Sequence, residues 1–201
     1  MDTRDRILTA AMRLFHEQGF SATGVSTILR EAGVNSGSLY HCFPNKEAVL
    51  RGVLERYTEL LGPVVLEPRE REQDDPIERV FDLLAWYRRG MEQTHCRLGC
   101  PIGNLALEVS DAYPEVRTLI DNNFRGWASG IRGWLDEAGD RLSPETDLDA
   151  LASFVLTVME GGLMQARAAG SLEPFDRSVA VLRSHFQLIT RQDDKQPEAK
   201  A

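Results

Sequence analysis

Two short helical patterns, the first ended by Gly33 and the second by the Phe43–Pro44 step, decide the fold, and they lie in the stretch FHEQGFSATGVSTILREAGVNSGSLYHCFPNKE, residues 15–47. Gly19 and Gly33 are each followed by a hydrophobic residue, which is a common way for a helix to end. The segment from Ser36 to the Phe43–Pro44 step has room for about two helical turns, because proline disfavours helical geometry in the residue before it. The stretch therefore predicts two short helices joined by a tight turn, a helix-turn-helix.

Longer helical patterns flank this pair on both sides. Before it, apolar residues recur at helical spacing over residues 7–15, and Thr23 is the expected N-cap of the short helix that follows. After it, Asn45 is an expected N-cap, and an apolar stripe over residues 50–61 predicts a fourth helix that ends near Gly62–Pro63. A helix-turn-helix braced in this way presents its second helix to the major groove of DNA.

The composition is that of an ordinary globular chain, with 42% hydrophobic and 27% charged residues over 201 positions. No apolar run approaches the roughly 18 to 20 residues that cross a bilayer, so we expect no membrane-spanning segment. The cysteines are odd in number, Cys42, Cys96 and Cys100, and the sequence has no signal-peptide pattern. These features favour a reducing compartment, and we expect the cytoplasm.

The formal net charge of −8 is unevenly distributed along the chain. Residues 1–62 contain 7 Lys and Arg and 7 Asp and Glu, so the totals of 23 and 31 leave 16 basic and 24 acidic residues beyond them. The residues beyond 62, which we call the body, are therefore acidic. An acidic body repels DNA everywhere except at the DNA-binding face, which helps to orient the protein and supplies no affinity. The net charge therefore does not exclude a DNA-binding protein.

Beyond residue 62 the pattern stays helical, and no segment alternates with the period of two that a half-buried strand requires. Helical spacing recurs over residues 77–93, 101–110, 114–138, 148–169 and 175–190. The charged segment 63–76 begins and ends with proline and is expected to be a loop or an irregular join. We predict an all-α fold made of a three-helix helix-turn-helix domain with its connecting helix over 1–62, a helical regulatory and dimerisation domain over 63–191, and a polar tail over 192–201.

The N-terminal pattern resembles the DNA-binding domain of the TetR (tetracycline repressor) family. The resemblance extends to Glu47 and depends on the spacing of Phe15, Gly19–Phe20, Thr23, Val25, Ile28, Ala32–Gly33–Val34, Gly37–Ser38–Leu39–Tyr40–His41, Phe43 and Lys46–Glu47. It implies a DNA-binding regulator, usually a repressor, whose short third helix contacts base edges of an operator. The implied DNA-binding residues are Thr23, Asn35, Ser36, Gly37, Ser38, Tyr40, His41 and Lys46.

These positions suit contacts to DNA. Residues 36–38 combine two hydroxyl groups for phosphates with a glycine that allows close approach of the main chain. Tyr40 combines an apolar ring with a hydroxyl donor, and its alternative is core packing beside Phe43. His41 either contacts DNA or packs inside the domain. Lys46 has a long stem that reaches outward to a phosphate.

The last two helical segments carry an apolar stripe with alternating spacings of four and three, which is typical of helix-on-helix packing. In the resembled family the last two helices form a four-helix bundle across a two-fold axis, which implies a homodimer and a pseudo-palindromic operator. The alternative is that the stripe packs inside one subunit. The predicted interface residues are Leu148, Leu151, Val155, Val158, Gly161, Gly162, Phe175, Val179, Leu182, Phe186 and Ile189.

A ligand cavity with mostly apolar walls is expected among the middle helices, although an aromatic stripe of this kind is also typical of a core. The segment 99–108 resembles part of the regulatory domain in a branch of the family that answers to electrophiles or drug-like molecules, which implies a small-molecule effector of unknown identity. The candidate cavity residues are Trp86, Tyr87, Cys96, Cys100, Phe124, Trp127, Ile131, Trp134 and Phe154.

Other functions stay open beside a ligand-responsive repressor. Cys96 adjoins His95 and Arg97, so thiol-based sensing of electrophiles or oxidants by Cys96 or Cys100 is one alternative. A helical protein-interaction module without DNA binding is a more remote one. The spacing of His95, Cys96 and Cys100 matches no closed zinc site, and we expect no metal or other cofactor. The motifs G-x-S-x-G, H-E-x-x-H and the P-loop are missing, so we expect no enzyme.

Overall fold

The computed structural model describes residues 2–190, and this range is all-α, as predicted, with no strand in it. Residue 191 and the predicted tail 192–201 lie outside the described residues. A π-helical turn, Leu61–Leu66, joins α4 to α5, and a 3₁₀ turn, Gly139–Arg141, follows α8. The α-helices of the described range are α1 Thr3–Gln18, α2 Val25–Ala32, α3 Ser36–Cys42, α4 Lys46–Leu60, α5 Glu67–Glu72, α6 Pro76–Gln93, α7 Pro101–Val109, α8 Pro114–Glu137, α9 Leu148–Ala169 and α10 Glu173–Ile189.

The N-terminal domain closes around the apolar stripe of α1. Ile7, Leu8 and Phe15 are buried on a helix that packs against α2, α3 and α4. Gly19 ends α1 with a φ of 86°, and Gly33 ends α2 with a φ of 62°. Glycine adopts positive φ without steric penalty, so both helices end where the sequence predicts.

Asparagine side chains start the next two helices. Asn35 Oδ1 accepts the backbone N–H of Ser38 at 2.8 Å, and Asn45 Oδ1 accepts that of Ala48 at 2.8 Å. Each bond satisfies an amide that has no partner within its own helix, and removing such a cap typically costs about 1 kcal/mol. The two caps fix the start of α3 and of α4, and thereby the length of the short helix predicted to contact DNA.

The start of α2 differs from the prediction. Gly24 occupies the N-cap position and Thr23 lies one residue earlier. The Thr23 side chain is fully buried, and its hydroxyl donates to the carbonyl of Gly19 at 2.6 Å. Thr23 therefore fastens the turn between α1 and α2, and its assignments as an N-cap and as a DNA contact are both wrong.

The connector that was predicted to be a loop is helical as far as Glu72. Pro63 has no amide hydrogen and interrupts ordinary helical bonding, and the wider π-helical turn accommodates the interruption. Arg69 is buried, its Nη1 donates to the carbonyl of Val65 at 2.7 Å, and its guanidinium lies 5.1 Å from the ring centre of Trp86. The charged sequence suggested a solvated segment, but this arginine attaches it to the body.

Helix α8 is the centre of the body, because it packs against α4, α6, α7 and α9, while α10 packs along α9. Pro76, Pro101 and Pro114 begin α6, α7 and α8, at a position where the missing N–H removes no helical bond. The helix limits predicted for this part of the chain agree with the structure to within two residues. None of the helices between residues 2 and 190 is long and apolar enough to span a bilayer.

Candidate DNA interface and ligand cavities

Helix α3 presents one face to solvent. Leu39 is fully buried and holds the helix on the domain core, which turns the opposite side outward. Ser36, Gly37 and His41 are exposed, and Tyr40 is 54% exposed. The alternative positions for Tyr40 and His41, inside the domain, are therefore excluded. The exposed face combines a hydroxyl, a phenol and an imidazole with a glycine that leaves the main chain accessible.

Asn35 and Ser38, the remaining predicted DNA contacts at α3, are less accessible or already bonded in part. Asn35 is exposed, but one lone pair of its Oδ1 is used by the helix cap described above. Ser38 is half-buried, and its hydroxyl makes no hydrogen bond within residues 2–190. A hydroxyl in that state remains free to donate to a phosphate.

Lys46 lies at the start of α4, against the turn between α1 and α2. Its Nζ is 4.1 Å from the centre of the Phe20 ring. Burial lowers the pKa of Lys46, and the nearby carboxylate of Glu108 partly offsets this effect. The ammonium group thus lies against an aromatic face, and a phosphate contact requires it to turn away from that ring.

Most arginines around the helix-turn-helix already bind partners within the protein. Arg13 is paired with two glutamates, and Arg6 donates to the carbonyl of Gly33 at 2.7 Å. Arg30, near the end of α2, is exposed and makes no ion pair within the described range. It is a candidate phosphate contact that the sequence analysis did not include, and its charge was the available signal.

Glu108, near the end of α7, holds the turn between α1 and α2. Its Oε2 accepts the N–H of Phe20 at 2.8 Å, and its Oε1 accepts the N–H of Ser21 at 2.6 Å. A side chain at Gly19 would come within 3.0 Å of the same carboxylate. Burial opposes ionisation of Glu108, but the hydrogen bonds from Ser21 and Phe20 outweigh it, so its pKa is lowered. No local pattern predicts this contact, because its partners are 88 residues apart.

The other end of α7 also meets the DNA-binding domain. His16 Nε2 lies 2.9 Å from the carbonyl of Gly99, which directly precedes Cys100, the N-cap of α7. A carbonyl only accepts, so Nε2 carries the hydrogen. Burial lowers the pKa of His16 and favours its neutral form, although the bond to Gly99 partly opposes the shift. Helix α7 is therefore attached at both ends to the domain that carries the helix-turn-helix.

A first cavity, of about 400 Å³, opens beside the start of α7. Its walls come from α1, α6 and the segment 98–101, and they include His16, Trp86, Tyr87 and Pro101. The rings of Trp86 and Tyr87 meet edge to face, with their centres 5.0 Å apart. A bound molecule would therefore touch an aromatic wall and a residue of the DNA-binding domain at the same time.

A second cavity, of about 320 Å³, lies between α7, α8 and α9. Cys100, Phe124 and Glu160 contribute to its walls, and it shares Gly99 and Leu163 with the first cavity. The two cavities are therefore neighbours on either side of the start of α7. Both fall in the size range of small-molecule sites.

Only part of the predicted cavity lining borders these spaces, namely Trp86, Tyr87, Cys100 and Phe124. The assignments of Trp127, Ile131 and Trp134 are wrong, because their side chains fill the core of the body. The Trp134 Nε1 donates to a carboxylate of α5 at 3.0 Å, which gives the buried indole its partner. Cys96 is buried and borders neither cavity, and Phe154 lies in a groove between α9 and α10 on the outside.

The amino-acid sequence matches two family models, one in each predicted domain. Residues 7–53 match the model for bacterial regulatory proteins of the tetR family, and residues 76–181 match the C-terminal domain described as LmrA/YxaF-like transcriptional regulator. The second match alone covers more than half of the chain. The chain belongs to the TetR family.

Relatives and solved structures of the TetR family resemble the chain over most of its length. It is 31% identical, over 163 residues, to the uncharacterized HTH-type transcriptional regulator YxaF of Bacillus subtilis (strain 168), a match that covers 81% of this chain and 84% of that protein. The crystal structure of regulatory protein TetR from Rhodobacter sphaeroides has a TM-score of 0.82 and 26% identity, covering 90% of this chain and 97% of the other. The crystal structure of reduced E. coli NemR has a TM-score of 0.80 and 27% identity, covering 96% and 100%.

TetR-family regulators bind DNA and act as dimers, which makes the outer face of α9 and α10 relevant. Six residues predicted for a dimer seam lie instead inside one subunit, because they pack these helices together. Gly162 shows why, since the Phe175 ring lies 2.8 Å from the position that a Cβ would take there. The six buried residues, whose assignment to an interface is wrong, are Leu151, Val155, Gly162, Phe175, Leu182 and Phe186.

A different apolar face of α9 and α10 points outward in this TetR-family chain. On α10, Val181 is 69% exposed and Leu188 is 84% exposed, and Phe154 is exposed on α9. Large apolar side chains grouped on neighbouring helices are characteristic of a protein interface. The half-buried residues of the predicted seam remain predictions for that interface, and they are Leu148, Val158, Gly161, Val179 and Ile189.

Proposed function

We propose that this TetR-family regulator is a cytoplasmic repressor that binds a pseudo-palindromic operator as a homodimer and leaves it when a small molecule binds the body. The observation that carries the proposal is the outward face of α3, with Ser36, Gly37, Tyr40 and His41 accessible on a helix capped at its start and anchored by Leu39. Relatives named as transcriptional repressors, among them DhaR and NemR, support repression as the outcome.

The dimer forms through the outer face of α9 and α10. Phe154, Val181, His185 and Ile189 line a groove between the two helices. A second copy of the chain, related by a two-fold axis, places its own exposed Val181 and Leu188 against this face. The symmetry then positions two α3 helices for two half-sites of one operator.

Ligand binding reaches the DNA-binding domain through α7. Gly99 and Pro101 form part of the cavity walls at one end of this helix, and Glu108 holds the turn between α1 and α2 at the other. His16 belongs to α1 and to the wall of the first cavity. A molecule that displaces the start of α7 therefore moves the hydrogen bonds that orient the helix-turn-helix. Coupling between two sites in proteins is typically about 1 to 3 kcal/mol, a roughly 5- to 150-fold change in affinity.

Burial of Cys96 and Cys100 favours reversible ligand binding over sensing by a cysteine thiol. Burial raises the pKa of Cys100, and its thiol also faces the carboxyl of Glu160, which favours the protonated sulfur. Cys96 is also buried. A reactive cysteine needs a thiolate as well as access, and the raised pKa of Cys100 disfavours its thiolate. Reversible binding of a ligand in the cavities is therefore the function we propose.

A mobility-shift assay of the purified full-length chain tests this function. The probes are duplexes from the genomic neighbourhood of its own gene, at several salt concentrations. We expect a retarded complex whose affinity falls steeply with salt, because Lys and Arg displace counterions from phosphates. Failure to retard any such duplex at low salt, or retardation without salt dependence, would contradict the proposal and favour a protein-interaction module.

A further inference from the structure

One carboxyl group in the wall of the second cavity has no cationic partner. Glu160 of α9 is largely buried, its carboxyl contacts the thiol of Cys100, and it makes no ion pair within residues 2–190. The carboxyl also lies against Gly103 so closely that any side chain there would collide with it. Burial raises the pKa of Glu160, and the thiol contact opposes that shift only in part. A charged carboxylate at this place therefore lacks the compensation that buried charges usually have.

Two tyrosines, Tyr57 and Tyr87, lie close enough to Cys100 for its charge to influence their pKa values. Burial raises the pKa of Tyr87, and so does its proximity to Cys100, Glu160 and Tyr57. Neither tyrosine hydroxyl makes a hydrogen bond to any part of the described chain, and no fully buried side-chain oxygen there lacks a partner. Both hydroxyls therefore reach accessible space. The hydroxyl of Tyr87, whose pKa Glu160 influences, adds a neutral group that accepts or donates a hydrogen bond near that carboxyl.

The surrounding walls are aromatic and apolar. Phe124, Leu163 and Met164 border the second cavity, and Trp86 and Tyr87 border the first. Aromatic faces attract cations, and the attraction grows when water is excluded. A carboxyl without a counter-ion beside such walls favours a molecule that is both aromatic and positively charged.

The cation nearest to Glu160 along the same helix serves another partner. Arg167 also borders the second cavity, but its Nη1 donates to Asn104 Oδ1 at 2.9 Å and its side chain is largely exposed. Seven residues of helix separate Arg167 from Glu160, which corresponds to roughly 10 Å along the axis. The positive charge of Arg167 therefore stands at the solvent end of the cavity and does not compensate the carboxyl of Glu160 at the buried end.

We infer that the effector is an aromatic cation whose ammonium group binds Glu160 in the second cavity. This inference rests on the proposed ligand response and names its chemical class. The ammonium donates to the carboxylate, and the aromatic part fills the apolar volume near Phe124. Binding of a cation also favours the ionised form of Glu160, so the site becomes electrically balanced only when it is occupied.

Two probes that differ mainly in charge test the inference. They are 4-phenylbenzylamine, which is a cation at neutral pH, and 4-phenylbenzyl alcohol, which is neutral and of nearly the same size. Both are titrated calorimetrically into the full-length protein in the absence of DNA. We expect the amine to bind roughly tenfold or more tightly than the alcohol, as charge-assisted bonds to a desolvated carboxylate predict. In Glu160→Gln the two affinities should agree within about twofold, since the charge is gone and the shape is kept.

The control is Asp136→Asn, which removes the same charge from an exposed position at the end of α8, where Asp136 pairs with Arg132. This variant should keep the preference for the amine. Equal affinity of the wild-type protein for both probes, a preference that survives in Glu160→Gln, or binding of neither probe up to about 1 mM would overturn the inference. Thermal melting of each variant separates a lost site from a lost fold.

The titration uses no DNA, so its outcome is independent of the regulatory proposal. Repeating it with labelled operator shows whether the amine releases the protein. Glu160-dependent binding without release would uphold the ligand class and contradict the ligand response. Release by the neutral alcohol alone would uphold the ligand response and contradict the ligand class.

Discussion

The carboxylate of Glu108 accepts the backbone N–H of Phe20 at 2.8 Å, and thereby joins the regulatory body to the turn that precedes α2. A second bond from Ser21, at 2.6 Å, makes the contact bidentate. Lys46 lies over the same Phe20 ring, and Glu108 is close enough to raise the pKa of Lys46. One carboxylate of the body thus acts on both the turn and a candidate phosphate contact.

Glu108→Gln should loosen this turn without unfolding the protein. The amide of glutamine carries one acceptor oxygen, so one of the two backbone N–H groups loses its partner. We expect hydrogen exchange of the Phe20 and Ser21 amides to become roughly fivefold faster, corresponding to about 1 kcal/mol of local protection. Exchange measured by NMR checks this. Glu115→Gln is the matched control, because Glu115 also joins the body to the DNA-binding domain, through Arg51. Unchanged exchange at both amides in Glu108→Gln would show that the contact does not hold the turn.

The same contact should depend on pH in a defined direction. The folded protein lowers the pKa of Glu108, so the stabilisation is present above the unfolded value of about 4.3 and is lost as pH falls through the lowered value. Because Glu108 is exposed, we expect no more than about 1 kcal/mol. Melting curves should therefore separate wild type from Glu108→Gln at pH 7 and coincide well below pH 4. A difference that grows on acidification would contradict the sign.

Tyr40→Ala should weaken operator binding by roughly tenfold and leave the melting temperature nearly unchanged, because the side chain is largely exposed. Tyr40→Phe separates the ring from the hydroxyl. Thr23→Val is the informative comparison, since Thr23 is buried with its hydroxyl bonded to Gly19, and its loss should cost about 1 to 2 kcal/mol of stability. Fluorescence anisotropy and thermal melting measure the two effects. A large fall in melting temperature for Tyr40→Ala would contradict the exposed position.

Val181→Glu should convert the dimer to monomers at micromolar concentration. Two-fold symmetry brings each new charge near its copy or onto an apolar surface, which costs several kcal/mol across the interface. Sedimentation equilibrium measures the change. Val64→Glu, at an exposed position of the π-helical turn, introduces the same charge away from α9 and α10 and should leave the dimer intact. A dimer that survives Val181→Glu would place the interface elsewhere.

Local patterns predicted much of this architecture, and α9 begins and ends where the helical spacing over residues 148–169 predicts. The outward side of α9 could not be predicted, because Leu151 and Phe154 are both apolar and only the packing of α10 shows that Phe154 is outside. Pro63 predicted the end of a helix, but the chain continues through it in a π-helical turn. The sequence alone does not show that such a turn accommodates the proline. The contacts of His16 and Glu108 join residues more than eighty positions apart, so no spacing rule reports them.

The most direct test of operator binding by a dimer is selection of DNA sites from a random duplex library by the full-length protein, followed by measurement of affinity for the enriched site. The expected site is a pseudo-palindrome with two half-sites about one helical turn apart or a multiple of it, bound by a dimer with an affinity that Tyr40→Ala weakens. Enrichment of no sequence, or of a site without two-fold symmetry that Tyr40→Ala binds as well as wild type, would contradict this mode of binding.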